Sequence, residues 1–185
     1  MSDEKYVLCV PREGFNDVLC QMETAWDYAA RHGRILVVDA RHSALEDSFA
    51  QYFATKDTRV LLHPGEALLR HFDGLDVYPP FLRGRVSRHA REVVDVQNDD
   101  GILVKVDADA CRPLTFDMSR PYREELLVHH AHGGSCRGLV CLQKLKLLPE
   151  IALRIVRRLA DLGEDYDAVH IRNTDIGTDY LPFFR

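Results

Sequence analysis

Residues 6 to 39 read YVLCVPREGFNDVLCQMETAWDYAARHGRILVVD, and this stretch decides the fold. Tyr6 to Val10 is a short apolar run rich in β-formers, closed by Pro11, which reads as a buried strand. From Val18 onward the apolar positions are Val18, Leu19, Met22, Ala25, Trp26 and Ala29, the stripe of a core-facing helix. Asn16 or Asp17 stands where an N-cap is wanted and Gly33 where a helix stops. Arg34 then leads into a second apolar run, Ile35 to Val38, closed by Asp39. Strand, helix and strand in this order predict a parallel βαβ unit with a right-handed crossover.

The remainder continues the alternation. Further strands are expected at Arg59 to Leu62, Glu92 to Val96, Ile102 to Val106, Glu125 to Val128 and Ala168 to Ile171. Helices are expected at Leu45 to Phe53, Glu66 to Phe72 and Pro149 to Leu162. The last of these places Ile151, Ile155, Leu159 and Leu162 on one face, with Pro149 in a first turn and Gly163 as a stop. The pattern is α/β, a Rossmann-like doubly wound parallel sheet.

A chain of 185 residues is enough for one well-buried domain. Its formal net charge of -5 gives no electrostatic hold on nucleic acid or anionic lipid. Residues 1 to 5 lack the basic start and apolar run of a secretory signal, and no stretch reaches the length of a membrane span. A soluble, cytoplasmic protein is therefore expected. Cys9, Cys20, Cys111, Cys136 and Cys141 show no CxxC pair and no conventional zinc spacing, so reduced thiols are expected, with Cys9 and Cys20 as small buried hydrophobes.

In an open parallel sheet, ligands collect beyond the carboxyl ends of the strands. The loop Arg12 to Asp17 occupies such an end, but Gly14 alone does not make the GxGxxG spacing of a dinucleotide site. Arg172 emerges at another strand end, where a guanidinium could grip a diphosphate; a local ion pair with Asp175 is the plainer reading of the same residues. His129-His-Ala-His132 before Gly133 and Gly134 fits no standard metal spacing and reads as a strand running into a loop. Arg83, Arg85, Arg88 and Arg91 read as a solvated face, with an acidic-partner or acceptor surface as the alternative. Lys144, Lys146, Arg154, Arg157 and Arg158 read as the polar side of a helix.

Residues 12 to 43, REGFNDVLCQMETAWDYAARHGRILVVDARHS, resemble the N-terminal segment of the NodZ-type nodulation fucosyltransferases. VHIRNTD, residues 169 to 175, resembles the His-x-Arg-x-x-Asp signature of the wider fucosyltransferase superfamily, and TDYLPFF, residues 178 to 184, is similar to the continuation seen in NodZ-like enzymes. The resemblance implies the N-terminal half of a two-domain GT-B-type glycosyltransferase. Residues 1–148 would be the Rossmann-like domain, and 149–185 a linker helix and the first strand of an incomplete nucleotide-sugar-binding domain.

By the same resemblance Arg172 would be the catalytic residue, holding the donor's phosphate as the nucleotide departs. His170, Asp175, Gly14 and Asn16 would contact the donor, and Asp17, His132 and Gly133 would lie near the cleft. The donor would be a nucleotide sugar such as GDP-fucose and the second substrate a glycan acceptor, with no metal, no separate cofactor and no assigned base. The chain would be a truncated member, with Leu181, Phe183 and Phe184 open to self-association. Two other readings stand beside this one: a non-catalytic α/β binding or interaction module that keeps the family's motifs, and a nucleotide-dependent enzyme of flavodoxin-like or Rossmann type.

Overall fold

The computed structural model describes residues 4–90, 93–98, 101, 103–130 and 136–162. The chain divides into two units, Met1–Leu148 and Pro149–Arg185.

The first unit opens with strand β1 (Tyr6–Cys9), helix α1 (Phe15–Arg31) and strand β2 (Ile35–Val38). There follow β3 (Phe53–Thr55), β4 (Val60–Leu61), α2 (Gly65–Phe72), β5 (Val77–Tyr78) and α3 (Val86–His89). Strands β6 (Val93–Gln97), β7 (Leu103–Asp107), β8 (Arg112–Pro113) and β9 (Leu126–His129) come next. Helix α4 (Arg137–Lys144) and strand β10 (Leu145–Leu147) complete the unit.

Five strands form one parallel sheet in the order β4-β2-β1-β9-β5. Its central strands are buried on both faces, as their unbroken apolar composition requires. Val7, Cys9, Leu36, Val38 and Leu127 face one side, where they pack with Val18, Leu19, Met22, Ala25, Trp26 and Ala29 of α1. Leu8, Val10, Val37, Leu126 and Val128 face the other, against Leu69 and Phe72 of α2 and Val86 of α3. Helices cover both faces, so the sheet is doubly wound.

Helix α1 ends as its sequence predicts. Gly33 takes a φ of 60, its N–H bonds to the Ala30 carbonyl, and the Arg34 N–H reaches back to Ala29 at 2.8 Å. This Schellman closure uses a left-handed residue, which glycine adopts without a Cβ penalty. Arg34 then buries its guanidinium at the amino edge of the sheet, donating to the carbonyls of Tyr6, Tyr122 and Glu124. The start of the helix differs from expectation. Gly14 is the N-cap, without a side-chain cap bond, and Asn16 and Asp17 lie inside the first turn.

Leu45 to Phe53 does not form the expected helix. Ser48 caps a three-residue 3-10 turn, Phe49–Gln51, and Phe53 begins β3. Ser48, together with Asp47, whose carboxylate accepts from the Ser48 N–H and from Gln51 and Tyr52 side chains, gives the backbone local partners that compete with a helix. The strands expected at 92–96 and 102–106 exist, but they pair antiparallel in a separate sheet, β6-β7-β8. The Asn98-to-Gly101 turn between them is too short for a parallel crossover. Strands β3 and β10 form a further antiparallel pair.

In the second unit, α5 (Pro149–Leu162) carries Glu150 in its first turn. Its Leu153, Ile155, Val156, Leu159 and Leu162 side chains are exposed. The strand expected at Ala168 to Ile171 lies outside the described residues. Among the described residues, no helix is long and apolar enough to cross a membrane.

Candidate functional site at the carboxyl edge of the sheet

The carboxyl ends of β1, β2 and β9 lie side by side, with Cys9 opposite both Val38 and His129. The loop after β1 is tightly strapped. Arg12 exchanges main-chain bonds with the buried Gln21 side chain. Its guanidinium donates to the carbonyls of His42 and Ala90, at 3.4 and 2.5 Å. Glu13 takes a φ of 69, an uncommon conformation for a residue with a Cβ. Two contacts hold it there: its carbonyl accepts from Ala44 N–H, and its carboxylate meets Lys105 at 2.8 Å. Lys105, nearly buried, also pairs with Asp95 at 2.7 Å, so the antiparallel sheet is tied to the ligand-edge loop.

Gly14, Asn16 and Asp17 stand at the N-terminus of α1, on this edge. Asn16 lies against α4: a Cβ on Gly138 would sit 2.5 Å from its Oδ1. Asp17 supplies the acidic charge of the first turn, favourable beside the helix's free N–H groups.

After β2, Asp39 receives Arg41 in bidentate fashion, from Nε at 2.8 Å and Nη2 at 2.9 Å. Burial alone would raise the Asp39 carboxyl, but the Arg41 bonds outweigh it and hold the group below its ordinary value. Arg41 reaches on to Glu66 in the first turn of α2 at 3.1 Å.

At the end of β9, His129 and His130 are buried rather than presented to solvent. His129 meets Thr115 Oγ1 at 2.8 Å, and burial lowers its pKa to about 4. His130 meets His89 Nε2 to Nε2 at 2.8 Å. Burial, then the neighbouring His89 and Arg12, push His130 well below the ordinary histidine value.

Of the residues expected at the site, His132, Gly133, His170, Arg172 and Asp175 lie outside the described residues. The structure brings together Gly14, Asn16 and Asp17 with Arg12 of the same expected loop, and adds Asp39, His89 and His130, which the sequence reading did not place there. One signal was present: His130 directly follows β9, the strand beside β1. The expected solvated arginine face is corrected at Arg85, whose side chain is 15% exposed and pairs with the buried Asp107. Lys144 is likewise not simply the polar side of a helix, since it bonds Glu23 and sits over the Trp26 ring. Among the described residues no group of three or more His, Cys, Asp or Glu is placed to hold a metal ion. A hollow of about 290 Å³, lined by Trp26, Gly33, Arg34, Asp57 and Arg59, lies at the opposite, amino edge.

A doubly wound parallel sheet with helices on both faces defines the class: a Rossmann-like α/β protein. In particular, the fold is similar to part of the GT-B-like fold of solved fucosyltransferases. The chain superimposes on the crystal structure of selenomethionine fucosyltransferase NodZ from Bradyrhizobium with a TM-score of 0.54 and 21% identity, over 86% of this chain and 56% of that one. It matches NodZ alpha-1,6-fucosyltransferase soaked with GDP-fucose with a TM-score of 0.52 and 20% identity, over 85% and 55% of the two chains. The same enzyme co-crystallised with GDP gives 0.53 and 19%, over 86% and 56%. The chain thus spans little more than half the length of these structures, and at such identities the fold is what is shared. No protein-family model and no curated protein matches the chain.

Proposed function

We propose that the chain supplies the N-terminal Rossmann-like domain, residues 1–148, and the opening of a nucleotide-sugar-binding domain, residues 149–185, of a fucosyltransferase-like glycosyltransferase. The observation that carries this reading is the fold likeness over 86% of the chain to a fucosyltransferase, joined to the His170-x-Arg172-x-x-Asp175 spacing. The donor is a nucleotide sugar of the GDP-fucose type, because the matched structures include complexes with GDP-fucose and GDP. The acceptor is a glycan hydroxyl. In the reaction, that hydroxyl displaces the nucleoside diphosphate from the anomeric carbon. Arg172 grips the diphosphate and offsets the charge that builds as it leaves, His170 shapes the donor pocket and Asp175 orients the arginine. Gly14 and Asn16 offer the uncapped N-terminus of α1 to the donor, with Asp17, His132 and Gly133 bordering the cleft. A cytoplasmic setting fits the five free cysteines.

Titration calorimetry with GDP and GDP-fucose tests the reading. Arg172→Ala should weaken binding by roughly 10- to 100-fold, as loss of a charged hydrogen-bonding group does. Affinity unchanged by that substitution overturns the role. A second reading, a non-catalytic binding module, is favoured by one observation: Arg12 and Glu13, the charged side chains of the loop after β1, are committed to internal contacts. It predicts GDP binding with no fucose transferred to any glycan.

A further inference from the structure

Two hollows on the flank of α1 share a wall. Trp26 Nε1–H donates to Asp57 Oδ2 at 3.0 Å, and this pair lines both the hollow at the amino edge and a larger one of about 490 Å³. The larger has the volume of a small-molecule site, and Lys56, Lys144 and Lys146 converge on it.

The β3-β10 ribbon causes the convergence. Its strands run antiparallel with Leu145 opposite Thr55 and Lys146 opposite Ala54, so Lys56 and Lys144 leave it at the same end. Like charges brought together in this way repel. Lys144 is answered by Glu23 at 2.7 Å. Lys56 and Lys146 are exposed and have no hydrogen-bond or ion-pair partner among the described residues. Asp57, the acidic residue of the lining, already accepts from the Trp26 indole and from the Arg59 N–H at 2.9 Å. Three lysines against one aspartate leave the lining two positive charges in surplus, or one when Glu23 is set against Lys144, in a chain whose formal charge is -5. Neutral donors stand beside them: Thr55 Oγ1 accepts the Asp57 N–H, which leaves its O–H to donate, and Gln143 brings an amide.

We propose that this hollow binds the oxyanion group of a small molecule, a phosphate or sulfate ester, on the ammonium groups of Lys56 and Lys146 with Lys144 beside them. Lysine holds such a group as a point charge. A cation is repelled by the three ammonium groups, and a neutral apolar ligand leaves them unanswered. The lining takes no residue from the carboxyl-edge site, so this site and nucleotide-sugar binding are separately measurable.

Trp26 is the single tryptophan, with Lys144 Nζ 5.0 Å from its ring centroid, so its emission reports occupancy. Titrating the whole chain with methyl phosphate or methyl sulfate at constant ionic strength should give a saturable change that chloride does not give. Calorimetry follows the same titrations without relying on the indole. Neither heat nor emission change, or a response that chloride matches, overturns the proposal. Acidification separates the two sources. A phosphate monoester loses its second charge at about pH 6, so its affinity falls across that value while that of the sulfate ester holds; the tighter ligand at neutral pH names the group. Lys56→Gln combined with Lys146→Gln should weaken binding by about tenfold, and arginine at both positions should restore it. Both side chains are exposed, so the fold is retained, and an affinity unchanged in the glutamine variant overturns the proposal. Arg172→Ala, the test of the nucleotide site, should leave the methyl phosphate response as it is, so the two readings fail separately.

Discussion

The Arg85 guanidinium meets the Asp107 carboxylate at 2.7 Å, with the aspartate side chain fully buried and the arginine 15% exposed. Asp107 also accepts the Ala110 N–H at 2.7 Å, so this pair anchors the start of the turn that follows β7. Arg85→Ala leaves a buried carboxylate without its cation, which costs roughly 3 kcal/mol. Urea denaturation of the two proteins measures this, and a loss below about 1 kcal/mol would show that water or another cation replaces the arginine.

Acid should weaken the fold in two separable stages. His89, His129 and His130 are buried and their pKa values are lowered, His129 to about 4. The unfolded chain takes up protons near pH 6.5 that the folded chain refuses. Their contribution is thus full above that pH and is lost as pH falls toward 4, on the order of 3 kcal/mol for His129 alone. Asp39 and Asp107, held below their ordinary value by arginine bonds despite burial, contribute above the carboxylate range and act only on further acidification. His129→Gln should flatten denaturation free energy between pH 6.5 and 4; an unchanged slope would remove His129 as a cause.

How much of this was legible in the sequence differs by element. Strand β1, helix α1 and strand β2 were, because buried parallel strands are continuous apolar runs and α1 carries a full stripe and a glycine stop. The two-residue strands β4 and β5 are too short to show a period, and β5 was missed. Leu45 to Phe53 looked helical by its apolar spacing until the Asp47 and Ser48 side chains are seen bonding their own backbone. Arg85 looked solvated since nothing local marks Asp107, twenty-two residues on, as its partner. The same holds for His89 and His130, forty-one residues apart.

Gly138 sets how closely α4 approaches α1. A Cβ there would lie 2.5 Å from Asn16 Oδ1 and 3.4 Å from both Cys20 Sγ and Leu19 Cβ. Asn16 is exposed and its side chain can swing away, while alanine gains up to about 1 kcal/mol in a helix over glycine. Gly138→Ala should therefore be close to neutral. Gly138→Leu drives its larger side chain into Leu19 and Cys20 and should cost about 1–3 kcal/mol. Thermal unfolding of both variants checks the pair; equal stability of the two would mean the helices separate freely.

Trp26 is the single tryptophan of the chain, so its fluorescence reports one spot. Its Nε1–H donates to Asp57 Oδ2 at 3.0 Å, and Lys144 Nζ lies 5.0 Å from the ring centroid. Lys144 also bonds Glu23 at 2.7 Å, and the Glu23 side chain is only 9% exposed, with Oε2 unpartnered among the described residues. Removing either neighbour changes the emission, but the stability costs differ in kind. Asp57→Ala frees an indole N–H beside an open hollow, where water can replace the carboxylate, and costs about 1 kcal/mol. Lys144→Met strips the cation from a nearly buried carboxylate and should cost more, about 2 kcal/mol or above. Fluorescence-monitored urea unfolding gives both values, and the reverse order would mean that water reaches the Glu23 carboxylate more readily than the Trp26 N–H.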